Sequence, residues 1–168
     1  MRFASIRSMD ISDGEGIGVA IYTQGCPFKC YNCHNPETWD YDGGTEFTKE
    51  HIEKIISLMK PDYINHFSCL GGEPLIERNL KDLACLFKRI KEMYPNKKIW
   101  VWSGYEWEAL YKIKNPLLNE VLNYVDVLVA GPYIDSLRDL TLKWRGSSNQ
   151  IVIDMKKTAT KIPVLYCN

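Results

Sequence analysis

No run of apolar residues in this 168-residue sequence approaches the ~20 that a membrane-spanning helix requires. The opening stretch, MRFASIRSMDISDGEG, lacks the apolar core of a secretory leader, so export is not expected. An excess of one charge is lacking too: 21 Lys and Arg stand against 21 Asp and Glu. That balance argues against a nucleic-acid or membrane-surface partner, because both normally select a basic surplus. Internal repeats, low-complexity tracts and linkers are missing as well. The expectation is a cytoplasmic protein of one domain, residues 1–168, long enough to bury a core without disulfide staples. In that compartment cysteines stay reduced, and clustered ones are more often metal ligands than disulfides.

What is present is an alternation of apolar runs with helical patterns. GVAIYTQG (18–25), YINHFSCLGG (63–72), KIWVWSGY (98–105) and VDVLVAGPY (125–133) read as strands, and QIVID (150–154) as a fifth. Between them, residues 48–60 place Ile52, Ile55, Ile56 and Met59 on one helical face, with Thr48 as N-cap and Pro61 as stop. Residues 78–94 do the same with Leu80, Leu83, Ala84, Phe87 and Ile90. Helical stretches follow through Leu110 and from Leu117 to Asn123. Strand–helix alternation predicts an α/β fold with a parallel sheet. A full βα barrel takes about 250 residues, so the expected architecture is a partial TIM-like barrel, or an open sheet, of four to five parallel strands. In either, ligands gather at the C-terminal strand ends. Those ends are Gln24-Gly25-Cys26, Leu70 to Pro74, Ser103-Gly104-Tyr105 and Gly131-Pro132.

The first of them opens GCPFKCYNCHNPETW, where Cys26, Cys30 and Cys33 have the spacing C-x3-C-x2-C. Thiolates are soft donors that select zinc, copper(I) or iron–sulfur clusters. Three ligands do not complete a structural zinc site; His34 is the nearest fourth candidate, though adjacent residues rarely chelate one metal well. An electron-transfer cluster would recruit Cys69, Cys85 or Cys167. The remaining alternative is a cubane 4Fe–4S cluster with one iron left open for a small molecule. Gly-Gly-Glu-Pro at 71–74 permits close approach of backbone to a ligand, and exposed backbone groups with Glu73 suit an ammonium.

C-x3-C-x2-C after a strand, together with LGGEP, resembles the signature of the radical S-adenosylmethionine (SAM) enzymes. The resemblance implies that the open iron binds the amino and carboxylate groups of SAM. An electron then cleaves the sulfonium to methionine and a 5′-deoxyadenosyl radical. The blocks DGEGIGVAIYTQGCPFKCYNCHNPETWD, GGEPL, IWVWSGYEWEAL, DVLVAGPY and WRGSSNQ resemble, in order, those of the family that activates anaerobic ribonucleoside-triphosphate reductase. That narrower resemblance implies hydrogen abstraction from a glycine of the reductase, and a flavodoxin- or ferredoxin-like electron donor. Departures from the family pattern fall at Glu15, Gly18, Leu70 and Ala130, none of them a cluster ligand.

By this resemblance Cys26, Cys30 and Cys33 hold the cluster, and Gly71, Gly72 and Glu73 bind SAM. Asn32 and His34 flank the third cysteine and are expected near the cofactor. Ser103 and Tyr105 either reach the ribose or adenine or simply turn the strand end. Gly131 and Pro132 either shape the SAM pocket or form a turn. Trp100, Trp102 and Trp107 read as core, and the segment from Arg145 to Gln150 as a polar loop that offers donors to SAM or a partner. No separate acid–base pair stands out, as expected where a cofactor does the chemistry. The alternatives are an activase of another glycyl-radical enzyme such as pyruvate formate-lyase, a small-molecule radical SAM enzyme such as a deazaguanine synthase, and a non-catalytic metal-binding module.

Overall fold

The computed structural model describes residues 1–166; Cys167 lies outside them. Apolar β-branched runs form the centre of one seven-stranded sheet. Its strands are β1 (Arg2–Asp10), β2 (Ile17–Thr23), β3 (Thr45–Glu46), β4 (Ile64–Gly71), β5 (Lys98–Ser103), β6 (Val127–Ala130) and β7 (Ile151–Asp154). The helices are α1 (Lys49–Leu58), α2 (Glu77–Met93), α3 (Trp107–Lys112) and α4 (Pro116–Tyr124). Spatial order is β3-β1-β2-β4-β5-β6-β7. Strands β2, β4, β5 and β6 are mutually parallel and stand in chain order, each crossover carrying helix.

The expected helical faces are the ones that bury. Ile55, Ile56 and Met59 from α1 and its cap, and Leu80, Leu83, Ala84, Phe87 and Ile90 from α2, all enter one core. They meet the outward side chains of the sheet: Val19 and Ile21, Phe67 and Cys69, Ile99 and Val101, Leu128. Full burial of an aromatic or branched aliphatic contributes about 1.5–3 kcal/mol each, so this layer carries most of the favourable energy of folding. At the start of α1, the Thr48 N–H donates to His51 Nδ1 (3.1 Å), satisfying a group the helix cannot. Asn115 caps α4 by accepting from the Leu117 N–H (2.9 Å).

The opposite sheet face is covered by loops instead of helices. Ala20, Tyr22 and Leu70 lie there with Trp102, and beside them Trp100, Val127, Val129 and Val152 pack with Trp144 and Tyr166. The segments that cover it include the loop after β1, the long connection 131–150 and the C-terminal stretch that carries Tyr166. All helices on one face, loops on the other, leaves room above the sheet for a ligand.

Two expectations change. QIVID does form a strand, but β7 runs antiparallel to β6, so the parallel strands number four and not five. The cause is the connection 131–150, whose regular structure is a single 3-10 turn, Asp135–Leu137. A parallel return needs a crossover to the other end of the sheet, which this segment does not make. The second change is β1, which pairs antiparallel with β2 and was not read as a strand. Only Phe3 and Asp10 of its nine residues are buried, so the alternation that betrays a strand is absent.

Candidate functional site

The cysteine loop leaves the C-terminal end of β2. Gly25 turns it with φ 94, and the segment is closed on itself by backbone bonds from Gly25 N to Thr38 O (2.8 Å) and from Cys26 N to Trp39 O (3.3 Å). Gln24 Nε2 donates to Glu37 O (2.8 Å) and braces the same closure. Between the second and third cysteines the chain makes a tight turn, Cys33 N donating to Cys30 O (3.2 Å), with Asn32 in the left-handed region at φ 55. The Asn35 N–H points at Cys33 Sγ (3.4 Å).

Cys26, Cys30 and Cys33 are free thiols, and all three line one cavity of ≈ 620 Å³ at the C-terminal ends of the parallel strands. Burial pushes the thiols of Cys26 and Cys30 above their usual range, opposed by N–H groups of Phe28 and Lys29 at Cys26 and of Tyr133 at Cys30. Among the described residues, no three His, Cys, Asp or Glu side chains have the geometry of a simple metal-ion site. The fit to a cluster therefore rests on the donor set: three thiols from one loop on one cavity. Cys69 is buried in the helix-side core, and Cys85 is exposed on α2, so neither reaches this cavity.

The end of β4 forms the adjacent wall. Gly71, at φ 110, and Gly72 let this strand end lie directly against the root of the cysteine loop. A Cβ on Gly72 would sit 2.5 Å from Gly25 O and 2.9 Å from Thr38 O. Gly72 N donates to Thr23 O and Glu73 N to Gly25 O, both at 2.9 Å. Glu73 is wholly buried. Its Oε1 accepts from Leu75 N and Ser103 Oγ (2.9 Å each), and its Oε2 from Gly104 N (2.7 Å). Burial raises its carboxyl to about 7, against the lowering effect of those hydrogen bonds.

The expected residues His34, Gly71, Gly72, Glu73, Ser103 and Gly131 all border the cavity with the cysteines. Asn32 is exposed and is not among the lining residues, and Tyr105 packs edge-on against Phe28 (centroids 5.0 Å apart) behind the wall. Arg145 and Gln150 of the polar loop also line it; Gln150 Nε2 donates to Gly131 O (3.0 Å) and secures the β6 end. Trp107 is core, as expected. Of the three tryptophans expected in the core, Trp102 is the exception: it packs on the sheet yet faces the cavity, its Nε1 donating to Trp144 O (2.7 Å).

Sequence reasoning missed the far end of the cavity. There Tyr22 donates to Asp13 Oδ2 (2.5 Å) beneath the Arg7 guanidinium, which lies 4.5 Å from the ring centre. Asp13 is raised above its usual range by burial, opposed by the Tyr22 hydroxyl. Trp144 closes this end, its Nε1 donating to Gly14 O (2.9 Å). The alternate spacing of Ala20 and Tyr22 on β2 was the available signal: it puts both on the face opposite the helices.

The comparisons agree with this geometry. A family model described as a 4Fe-4S single cluster domain matches residues 12–153. The anaerobic ribonucleoside-triphosphate reductase-activating protein of Salmonella typhi is 38% identical over 154 residues, covering 90% of this chain and 97% of its own. Its namesake in Escherichia coli K12 is 36% identical over the same coverage, and that of Enterobacteria phage T4 is 34% identical over 150 residues, 89% and 92% of the two chains. The chain belongs to this family of reductase-activating proteins. The family model supports an iron–sulfur cluster in this chain and sets the structural-zinc alternative aside.

Proposed function

We propose that the protein is a radical SAM activase that generates the glycyl radical of an anaerobic ribonucleotide reductase. The observation that carries this reading is the convergence on one cavity of three free thiols and the Gly71-Gly72 strand end, with neither Cys69 nor Cys85 within reach as a fourth ligand. Relatives that it matches along nearly their whole length are named as activators of that reductase.

Cys26, Cys30 and Cys33 would hold a 4Fe–4S cluster with one iron open. A cluster held there would supply the one-electron reduction that SAM-dependent radical chemistry at a glycine of the reductase requires. The chain's own task is placement and exclusion of water. Gly71 and Gly72 bring bare backbone to the methionine end of SAM; Ser103 and Gly131 line the next two strand ends, with His34 on the cysteine loop. Trp102, Leu70 and Phe28 supply apolar wall. Arg7 and Asp13, paired through Tyr22, give the far end a polar floor.

The electron comes from a flavodoxin- or ferredoxin-like donor. The four parallel strands in chain order, with helices on one face only, support a partial TIM-like barrel formed by the whole chain as one domain. No helix among the described residues is long and apolar enough to cross a membrane, and the reading places the protein in the cytoplasm without a nucleic-acid partner. Anaerobically reconstituted protein, given SAM and dithionite, is expected to yield 5′-deoxyadenosine and methionine in equal amounts. Reconstituted protein that binds SAM and leaves it intact would contradict the reading.

A further inference from the structure

We infer that Glu73 is a positioning residue for the cysteine loop, acting through Gly104 and Phe28, and that its carboxylate does not contact the cofactor's ammonium. This rests on reading Cys26, Cys30 and Cys33 as cluster ligands.

Glu73 borders the cavity but exposes none of its surface. A carboxylate has about four acceptor positions on two oxygens. Three of them receive donors from the protein: Leu75 N and Ser103 Oγ at Oε1, Gly104 N at Oε2. Its backbone is engaged as well, the N–H donating to Gly25 O (2.9 Å) and the carbonyl accepting from Asn79 Nδ2 (3.2 Å). One residue therefore ties together the root of the cysteine loop, the start of α2 and the end of β5.

The hold on β5 reaches the cysteines through Gly104. A Cβ there would lie 2.6 Å from Phe28 Cδ2 and 2.7 Å from Phe28 Cε2. Phe28 sits between Cys26 and Cys30, so its ring is seated on the bare Cα of Gly104 with Tyr105 edge-on beside it. Lys29, immediately after, lies in the left-handed region at φ 44, which is uncommon for a residue other than glycine. The spacing of the first two thiols is thus set by a contact that Glu73 locks from behind. Groups that orient metal ligands from the next layer typically matter about 10–100-fold in metal affinity.

The test uses the full chain, reconstituted anaerobically, in four forms: Glu73→Gln, Gly104→Ala, Phe28→Leu and the Gly104→Ala/Phe28→Leu pair. Iron and sulfide per chain and the EPR spectrum of the dithionite-reduced cluster are read without SAM; SAM affinity is then read on the loaded fraction. Expected are a roughly tenfold loss of cluster retention and an altered spectrum in Glu73→Gln and in Gly104→Ala, with the Phe28→Leu partner restoring much of the Gly104→Ala loss. SAM affinity of loaded Glu73→Gln should stay near wild type. The inference is overturned if Glu73→Gln loads normally, keeps the wild-type spectrum and loses SAM affinity about tenfold, as a direct ligand would. If Glu73→Gln fails to fold, the glycine–phenylalanine pair decides: normal loading of Gly104→Ala, or no restoration in the pair, overturns it. A wild-type chain that takes up no cluster contradicts the activase reading and takes this inference with it. Normal wild-type loading with any of the contrary variant results contradicts this inference alone.

Discussion

Glu73 Oε2 and the Gly104 N–H meet at 2.7 Å, joining the end of β4 to the end of β5 directly beneath the cysteine loop. Neighbouring parallel strands already share backbone bonds, but the ladder between these two stops at Cys69 and Val101. Past that point the strand ends would splay without a side-chain tie. The buried carboxylate supplies it, and the wall of the cavity keeps its shape as a result.

Only the loop cysteines should matter for the cluster. Substituting Cys26, Cys30 or Cys33 singly by Ala is expected to abolish the visible charge-transfer absorption and most bound iron after reconstitution. Cys69→Ala and Cys85→Ser should keep both, because one thiol is sealed in the core and the other points to solvent from α2. Iron analysis of the five variants checks this.

Gly72→Ala should destabilise the apo-protein. The added methyl would meet backbone oxygens on two sides, Gly25 O and Thr38 O, and backbone cannot swing away as a side-chain end can. Overpacking of this kind costs about 1–3 kcal/mol, so the urea midpoint should fall clearly below wild type with an unchanged slope. An unchanged midpoint would mean that the strand end and the loop root are not in contact.

His66 should make the protein acid-sensitive. Its ring is buried at the bottom of the sheet against Gly14 and Gly18, with Nδ1–H donating to Glu15 O (3.1 Å), and burial pushes its pKa below the usual 6.5. The folded state then binds fewer protons than the unfolded state between that lowered value and 6.5, so the contribution is present at higher pH and is lost as pH falls through this window. Stability of the wild type measured across it should drop more steeply than that of His66→Gln, which keeps a donor but cannot titrate. Equal slopes would contradict the assignment.

How much of this was legible in the sequence depends on how local its signal was. The helical faces of α1 and α2 were readable because each repeats its apolar residues over several turns, and those residues are the ones buried. The three cysteines and the Gly-Gly turn were readable because each sits within one short loop. The direction of β7 was not, since an apolar run says nothing about which way it pairs; the missing crossover decides that. Nor was β1, whose mostly exposed residues carry no alternation. The role of Glu73 depended on Ser103 and Gly104, thirty positions on in the chain, and the far end of the cavity on Arg7, Tyr22 and Trp144 meeting across three segments. Asn32 was expected near the cofactor from its place beside Cys33, but a left-handed turn carries it to the exposed side of the loop.

The most direct test of the central claim is EPR of an anaerobic ribonucleotide reductase incubated with the reconstituted protein, SAM and a low-potential reductant. The account predicts a stable glycyl radical on the reductase, dependent on SAM and absent with the Cys30→Ala variant. Formation of 5′-deoxyadenosine with no radical on the reductase, or a radical that persists with Cys30→Ala, would contradict it.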